Sequence, residues 1–590
     1  MLVNMPDADY SAGWRKSWSC VFYPLPYTER HVANQYSGVI AVKKILYVYG
    51  GPEFHPTEPG GKILTTWLKA DGRFELEMTS DLDAFSRLPG SDYAAVVVYT
   101  TGFHDDLNPE REQGLLQFVQ NGGGFVGIHS ATDSFRGSRA YVEMLNGEFL
   151  THPEHHEFKV SMTPATHYLT VRMPDFSVYD EMYHLQNFDP AKCTVLAQTQ
   201  WQGKQMPMAY TRNYGAGRVA YLANGHTMQA WHHPEFQKLL IRAIAWSTGA
   251  ELPNKTIRCG LLGYGPAFNM GRGHGGWINE TKGMQTVAMC DASPARVDAA
   301  RQELPNLAGY FTSLDEMLKM PDLDLVVDIL PHNQHAPTAL TCLRAGKNVI
   351  LEKPFCITVD EANQMIDTAH AKGLMLSLFH NRRWDGDYLT IRDIIDRGLI
   401  GDVFHIECGG GSYGHPGFWW RSDKAISGGV MYDWGAHFID WVLNLVPSKI
   451  AQVTGDFQKR VWNAVSNEDH GEVWIRFENG VTADYWTSQI AALSRPKWLI
   501  LGTKGAIRAD WKEELELTSY ANGIRQDSTV KVTLPGYGSV QYYRNVADHL
   551  LMGEELIVKP EQARRVIGII DAGQRSSLAG HSVSVAAGCE

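Results

Sequence analysis

Long apolar runs are missing from this chain. No stretch approaches the roughly twenty residues needed to cross a bilayer, so no helical membrane span is expected. Paired cysteines are missing too. Cys20, Cys193, Cys259, Cys290, Cys342, Cys356, Cys408 and Cys589 lie far apart without CxxC spacing, which argues for reduced thiols in a cytoplasmic protein. Positive charge is short: 53 Lys+Arg against 65 Asp+Glu leave a net charge of −12. Without a basic stripe to neutralise phosphates, no nucleic-acid partner is expected. The first residues, with Asp7, Asp9 and Trp14, lack the basic-then-apolar layout of a signal peptide.

What is present is an ordinary folded composition, 44% hydrophobic and 20% charged, spread over 590 residues, which is too many for one core. Residues 1–42 show no period and read as an extension. From Lys43 onward short apolar strands alternate with helix-like segments, closing with a helix over 234–247, and predict a parallel sheet with helices on both faces over 43–250. After the polar hinge Glu251–Lys255 the alternation restarts, with strands at 257–263, 286–291, 323–330, 348–351 and 375–379, giving a Rossmann unit over 255–380. Ser293-Pro294, Ser313 with Glu316 and Thr358 with Glu361 have the spacing of helix N-caps, and Gly346 and Gly373 sit at helix ends. Beyond 380 the strands lengthen (402–409, 471–477, 481–489, 498–501) and a last helix spans 560–578. That pattern predicts an α+β unit over 381–590, an open, largely antiparallel sheet with one face under helices.

The glycine loop Cys259-Gly260-Leu-Leu-Gly263-Tyr-Gly265 lies between a strand and a helix, where glycines let a pyrophosphate approach backbone N–H groups. The third fingerprint position is Phe268, and the loop runs on through Gly271 to Gly276, so the helix is expected to start late. Asp291, at the end of the second strand, suits the ribose hydroxyls and repels a 2′-phosphate, favouring NAD, while Arg296 leaves NADP open. Leu351-Glu352-Lys353-Pro354 ends another apolar strand. A lysine between apolar walls has its charged form disfavoured and can trade a proton with a hydroxyl, and Pro354 restricts its direction. Asp433 and His437, four apart after Gly428-Gly429, are expected on one helical face. The plainer alternative is a capping Asp and a buried His. Tyr413, Trp420 and Arg421 fit either sugar-contacting walls or core.

This order of motifs resembles the Gfo/Idh/MocA oxidoreductases over residues 256–585. The resemblance implies that Gly263, Gly265, Asp291, Pro331, Asn333, His335, Glu352 and Lys353 line the cofactor, His335 being alternatively a helix cap. It implies that Asp433 and His437 contact substrate, the histidine assisting Lys353 in proton transfer, and that Asn381 and Arg383 border the site. Residues 43–250, with Gly50-Gly51-Pro-Glu-Phe-His55, Gly122-Gly-Gly-Phe-Val-Gly-Ile-His129, His152-Pro153, Asp180-Glu181-Met-Tyr183 and Gly225-His226, resemble the ThuA (trehalose utilisation) family, which implies a flavodoxin- or glutamine-amidotransferase-like α/β sheet. The amidotransferase chemistry itself fails, because Cys193 is the only cysteine there and His129 holds the strand–turn position of a nucleophile. His55, His129, His152, Glu181 and His226 form a second-site set, open between a divalent metal and acid–base work on a ketosugar. The doublet His155-His156 is set aside, since adjacent strand residues face opposite ways.

The residues and the first resemblance together imply an NAD-dependent oxidoreductase that oxidises a ring hydroxyl of a sugar, glycoside or cyclitol to a ketone, and the association of the two families implies a 3-keto-sugar pathway in which the ThuA-like unit processes the keto product. The alternatives are a redox-neutral NAD-dependent glycosidase and a non-catalytic sugar sensor. A homo-oligomer through the C-terminal sheet is expected, because an apolar sheet face needs cover.

Overall fold

The computed structural model describes residues 42–532 and 538–590; the extension expected over 1–42 falls, up to residue 41, outside the described residues. The first unit carries β1 (Lys43–Gly50), β2 (Phe74–Thr79), β3 (Tyr93–Thr100), β4 (Gly124–Ile128), β5 (Glu148–Thr151), β6 (His156–Met162), β7 (Phe176–Asp180), β8 (His184–Gln186), β9 (Thr194–Trp201), β10 (Lys204–Tyr214) and β11 (Gly217–Leu222). Nine of them form one sheet in the order β2-β1-β3-β4-β11-β10-β9-β6-β7, and β5 pairs with β8. The expected parallel sheet is a mixed one. β2 through β11 run parallel, but β10, β9, β6 and β7 pair antiparallel beyond them. Tight connections such as Tyr214–Gly217 leave no room for the crossover helix that a parallel pair needs. β3 and β4 lie mid-sheet and are apolar on both sides, as strands covered by two helical layers must be. The helix Pro109–Gln120 starts on the Asn108 side chain, which accepts from the Arg111 N–H at 3.0 Å.

The second unit is six parallel strands, β12 (Ile257–Leu262), β13 (Met284–Cys290), β14 (Gly309–Phe311), β15 (Leu325–Asp328), β16 (Asn348–Leu351) and β17 (Leu376–Leu378), ordered β14-β13-β12-β15-β16-β17. This is a doubly wound Rossmann sheet whose order reverses beside β12, the place where such sheets bind ligands. The capping box of Thr358 and Glu361 forms in full. Ser293 and Ser313 stand at N-cap positions, but neither side chain accepts a cap bond, so those two expectations hold in place and not in mechanism.

The third unit is an eight-stranded sheet of β18 (Val403–Gly411), β19 (Ile450–Gln458), β20 (His470–Phe477), β21 (Thr482–Ser488), β22 (Trp498–Gly502), β23 (Gly505–Ala509), β24 (Glu514–Ala521) and β25 (Ile524–Lys531), ordered β19-β20-β21-β18-β22-β23-β24-β25. Only β18 and β21 pair parallel. The helices Gly435–Leu445 and Pro560–Ala579 cover one face of this sheet.

The second and third units share one apolar core, while the first keeps its own, joined by Met552. The seam is ionic. Buried Asp548 accepts from Arg172 Nε at 2.6 Å and Lys238 Nζ at 2.5 Å, with Arg242 Nη2 at 2.9 Å. Arg242 Nε also donates to Glu554 at 2.6 Å.

Candidate active site and metal centre

The carboxyl ends of the Rossmann strands present the expected cofactor residues together. Gly263 follows β12 at φ +99°, and a Cβ there would stand 3.1 Å from the Ile329 backbone, so only glycine fits. Space over Gly265 is open. The helix begins at Met270, late as expected. Asp291 accepts the Tyr264 and Ser293 backbone N–H groups, one on each oxygen, at 2.7 and 2.8 Å, which aims it at the loop. Pro331 and Asn333 follow β15. His335, in contrast, is fully buried, its ring nitrogens facing the Pro354 and Leu330 carbonyls at 2.8 and 2.9 Å. It ties two strand-end loops together and does not face the cleft. Glu352 also points inward: one oxygen accepts from the Lys353 N–H at 2.9 Å, and the other from His274 Nε2 at 3.1 Å. Tyr543 donates to His274 Nδ1 at 2.7 Å, completing a buried hydrogen-bonded chain that ends on the Lys353 backbone.

Lys353 Nζ donates to the Asp433 carboxylate and, at 3.3 Å, to its backbone carbonyl. The expected apolar walls are therefore a carboxylate and a carbonyl, and the pair is an ion pair. Arg421 Nη1 donates to the same Asp433 oxygen at 3.0 Å. Burial alone would raise the Asp433 carboxyl, but Lys353 and Arg421 outweigh it and hold it at about 2. Asp433 and His437 do not share a helix: Asp433 ends a short turn, and the helix starts at Gly435. His437 is buried, and its Nδ1 has no hydrogen-bond partner. Burial, then Lys353 and His380, keep it neutral, its pKa far below the usual histidine range.

Two more neutral imidazoles, not singled out from sequence, crowd this corner. His332 gives Nδ1 to the Ser427 carbonyl at 2.8 Å, leaves Nε2 unpartnered, and is pushed to about 3 by burial. His380 makes no hydrogen bond through either ring nitrogen, and burial brings it to about 4.

Trp420 packs edge-on to His332 at 4.8 Å. Phe268 reaches from the nucleotide loop to lie 4.6 Å from the Arg421 guanidinium. Tyr413 is 61% exposed and stands against Trp462, so it is no core residue. Asn381 donates to Ser539 at 3.2 Å. Arg383 departs from expectation. It is buried, paired with both Asp440 oxygens at 2.8 and 2.6 Å and bonded to the Ile557 carbonyl and Gln562, so four of its five N–H donors are held within the protein.

Unpartnered buried nitrogens, the open loop and the glycine-only turn fit a dinucleotide laid across β12. The comparisons agree. The oxidoreductase family with an NAD-binding Rossmann fold matches residues 257–380, and the GFO/IDH/MocA C-terminal domain matches 388–508. The ThuA family, trehalose utilisation, matches 44–247. This chain is a Gfo/Idh/MocA oxidoreductase joined to a ThuA domain.

The scyllo-inositol 2-dehydrogenase (NADP(+)) IolW of Bacillus subtilis is 29% identical over 344 residues, 55% of this chain and 94% of the relative. An alpha-N-acetylgalactosaminidase of Shewanella oneidensis is 30% identical over 161 residues, 26% of this chain and 34% of the relative. Among solved structures, an NAD-binding protein from Listeria innocua superposes with a TM-score of 0.50 at 26% identity, over 56% of this chain and 97% of that one.

The ThuA domain of this oxidoreductase gathers the second-site residues just past the carboxyl ends of its own strands. His55 Nε2, His129 Nε2, His226 Nδ1 and a Glu181 oxygen fall within a cluster whose ligand atoms all lie within 4.8 Å of one another. Hydrogen bonds set the tautomers. His129 donates Nδ1–H to the Ala223 carbonyl at 2.7 Å. Thr101 donates its own proton to Ser130 at 2.7 Å, so it accepts from His55 Nδ1 at 2.8 Å. Both Nε2 lone pairs are thereby turned inward, as outer hydrogen bonds do for metal ligands. His226 Nδ1 is buried without an aligned hydrogen bond. Asp180 fixes its loop by accepting the Gly225 and Thr227 N–H groups, both at 2.8 Å.

Glu181 Oε2 lies 3.2 Å from both His129 Nε2 and His226 Nδ1. His152 and the unforeseen His155 approach its other oxygen at 3.0 and 3.2 Å. The doublet rule holds in part. His156 opens β6, whereas His155 lies just before it and faces Glu181.

Proposed function

We propose that the oxidoreductase half converts a ring hydroxyl of a sugar, glycoside or cyclitol to a ketone with NAD as acceptor. The observation that carries this is the Lys353–Asp433 pair at the end of a Rossmann strand, flanked by Arg421 and His437. The 263–270 loop, Asp291 and the Pro331–Asn333 turn would hold a dinucleotide, which would supply hydride acceptance when bound. Lys353 first releases a proton from Nζ to solvent and then, as the neutral amine, takes the hydroxyl proton, with Asp433 keeping it aimed. His437, its pKa held far below the usual histidine range by burial, orients the hydroxyl through its ring. Trp420, Tyr413 and Asn381 form the walls. IolW is named for inositol and NADP(+), which supports a cyclitol or sugar alcohol as substrate. The carboxylate of Asp291, just past the end of β13 where a bound ribose would be met, supports NAD over NADP.

The units follow the three sheets, with boundaries near 43–250, 255–380 and 381–590. The N-terminal cluster is a divalent-cation site fed by the keto product, and copies of the chain associate through the open face of the third sheet. Among the described residues no helix is long and apolar enough to cross a membrane, and the unpaired cysteines suit the cytoplasm.

The test is absorbance at 340 nm with NAD and a panel of sugars, glycosides and inositols. NADH that appears with the wild type and not with Lys353→Ala supports the reading. No NADH from any member of the panel would sink it. The similarity to an alpha-N-acetylgalactosaminidase favours a second reading, transient oxidation followed by elimination of the glycosidic substituent. That version consumes a glycoside without added NAD and accumulates no NADH.

A further inference from the structure

Glu181 receives more imidazoles than one cation needs. Its two oxygens face separate sets. Oε2 meets His129 Nε2 and His226 Nδ1, each at 3.2 Å, with His55 Nε2 at 4.0 Å. Oε1 meets His152 Nδ1 at 3.0 Å and His155 Nε2 at 3.2 Å. The first set is interior, with side chains 3%, 0% and 11% exposed for His55, His129 and His226. The second stands at the mouth, 38% and 36% exposed for His152 and His155. The sets touch, the His155 and His226 rings lying 4.5 Å apart.

We propose that the N-terminal centre is dinuclear, with Glu181 bridging an inner divalent transition-metal ion on His55, His129 and His226 and an outer one on His152 and His155. The inference deepens the cation-site reading above and rests on it.

The arithmetic of coordination favours two ions. Bonds of about 2.0–2.2 Å let one ion satisfy the three inner nitrogens and Oε2 as a four-coordinate site. That sphere is then complete, and His152 and His155 lie on the other carboxylate oxygen. A carboxylate that gives one oxygen to each of two ions spaces them about 3.5–4 Å apart, the separation of two-metal hydrolytic sites. Imidazole-rich donors select borderline ions such as Zn2+, Co2+ or Ni2+ over hard ions such as Ca2+, Mg2+ or Mn2+.

The two positions differ in kind. The inner nitrogens are aimed by Thr101 and the Ala223 carbonyl and need no rearrangement. His152 Nδ1 also lies 2.8 Å from the Pro153 carbonyl, a contact it gives up when it ligates. The outer ion therefore binds more weakly, and with three protein ligands it keeps positions open. Oxygen donors of a small molecule, such as neighbouring hydroxyl or carbonyl oxygens, fill those positions from the mouth.

The test uses the full chain, stripped with chelator and titrated with Co2+ alone. Bound metal is counted by elemental analysis after dialysis, and the visible cobalt bands are recorded. Two ions per chain with separable affinities are expected. His155→Ala and His155→Gln should each leave one ion and the inner band, His129→Ala should abolish the inner band, and His156→Ala should retain both ions. One ion per chain, unchanged by the His155 substitutions, overturns the dinuclear proposal and leaves the single-cation reading standing. No bound ion overturns both.

Discussion

The two centres of this chain use one scaffold with opposite electrostatics. Each gathers its side chains beyond the carboxyl ends of parallel strands, Lys353 after β16 and His129 after β4. At Lys353 charge is met by charge: Asp433 is shared between an ammonium and a guanidinium, and the neighbouring imidazoles stay neutral. At Glu181 a single carboxylate sits inside five imidazoles and, among the described residues, no Lys or Arg is one of its ion-pair partners. In the reading proposed above, the lysine–carboxylate pair handles protons and leaves redox chemistry to the nucleotide. A carboxylate in a nest of inward-turned nitrogens has the donor set of the cation site proposed above. The sequence motifs of both regions are glycines and histidines at strand ends; the partner of the carboxylate is what separates them.

The largest effect should come from removing the lysine. Lys353→Ala is expected to lower kcat/KM for NADH formation by roughly 10²–10⁴-fold, the usual range for a positioned proton-transfer group. Metal content of the N-terminal unit should not change. The converse experiment is chelation, which should strip the Glu181 centre and leave the initial rate of NADH formation within about twofold. A chelator that silences NADH formation would erase the distinction between the centres.

Next in size is the seam that joins them. Asp548→Ala strands Arg172, Arg242 and Lys238 around a vacated carboxylate, and breaking a buried ion cluster this way costs about 3–5 kcal/mol. Urea unfolding followed by fluorescence should then show the first unit melting apart from the other two. A single transition at the wild-type midpoint would mean that the apolar contacts around Met552 suffice.

Much of both centres was legible because their residues lie next to local signals. Lys353 sits beside a proline after an apolar strand, and Gly263 in a glycine loop. What was not legible depended on distance or on boundaries. Arg383 looked like a site residue, but its partner Asp440 is 57 positions away and no spacing reveals it. Asp433 and His437 have helical spacing, yet the chain turns at Asp433, so the spacing misleads. His155 was lost because the strand begins one residue later than the rule assumed. The fold shows the same pattern. β12 and β16 announce themselves as apolar runs, while β24 and β25 form an edge hairpin where little beyond Leu515 and Leu517 meets the core. β14, three residues long, gives no period to read.

A middle-sized effect follows from the neutral histidines at the Lys353 centre. His332 titrates at about 3 and His380 at about 4 in the folded chain, both lowered by burial from 6.5. Below pH 6.5 the unfolded chain takes up these protons and the folded chain does not. Stability is therefore full above about pH 6.5 and falls as pH drops towards 4, by at most about 1.4 kcal/mol per pH unit for each group. Asp433, depressed from 3.8 to about 2, withdraws its share only below pH 4. Thermal melts from pH 7.5 to 5 should show Tm declining below 6.5, and His332→Gln should flatten the decline. A Tm independent of pH across that range would show these imidazoles to be solvated.

The smallest effect probes how the nucleotide loop speaks to the charged centre. Phe268 is more than half exposed, yet its ring covers the Arg421 guanidinium, which holds Asp433, which holds Lys353. A cation–π contact of this kind is worth about 0.5–1 kcal/mol. Phe268→Ala should therefore raise KM for NAD by about two- to fivefold, and Phe268→Tyr should restore it. KM for the carbohydrate should move less, because the walls around Trp420 stay in place. Equal changes in both constants would mean that Phe268 steadies the whole cleft. A change in the carbohydrate constant alone would make the ring a wall of the substrate site, and the loop would then have no hold on Asp433.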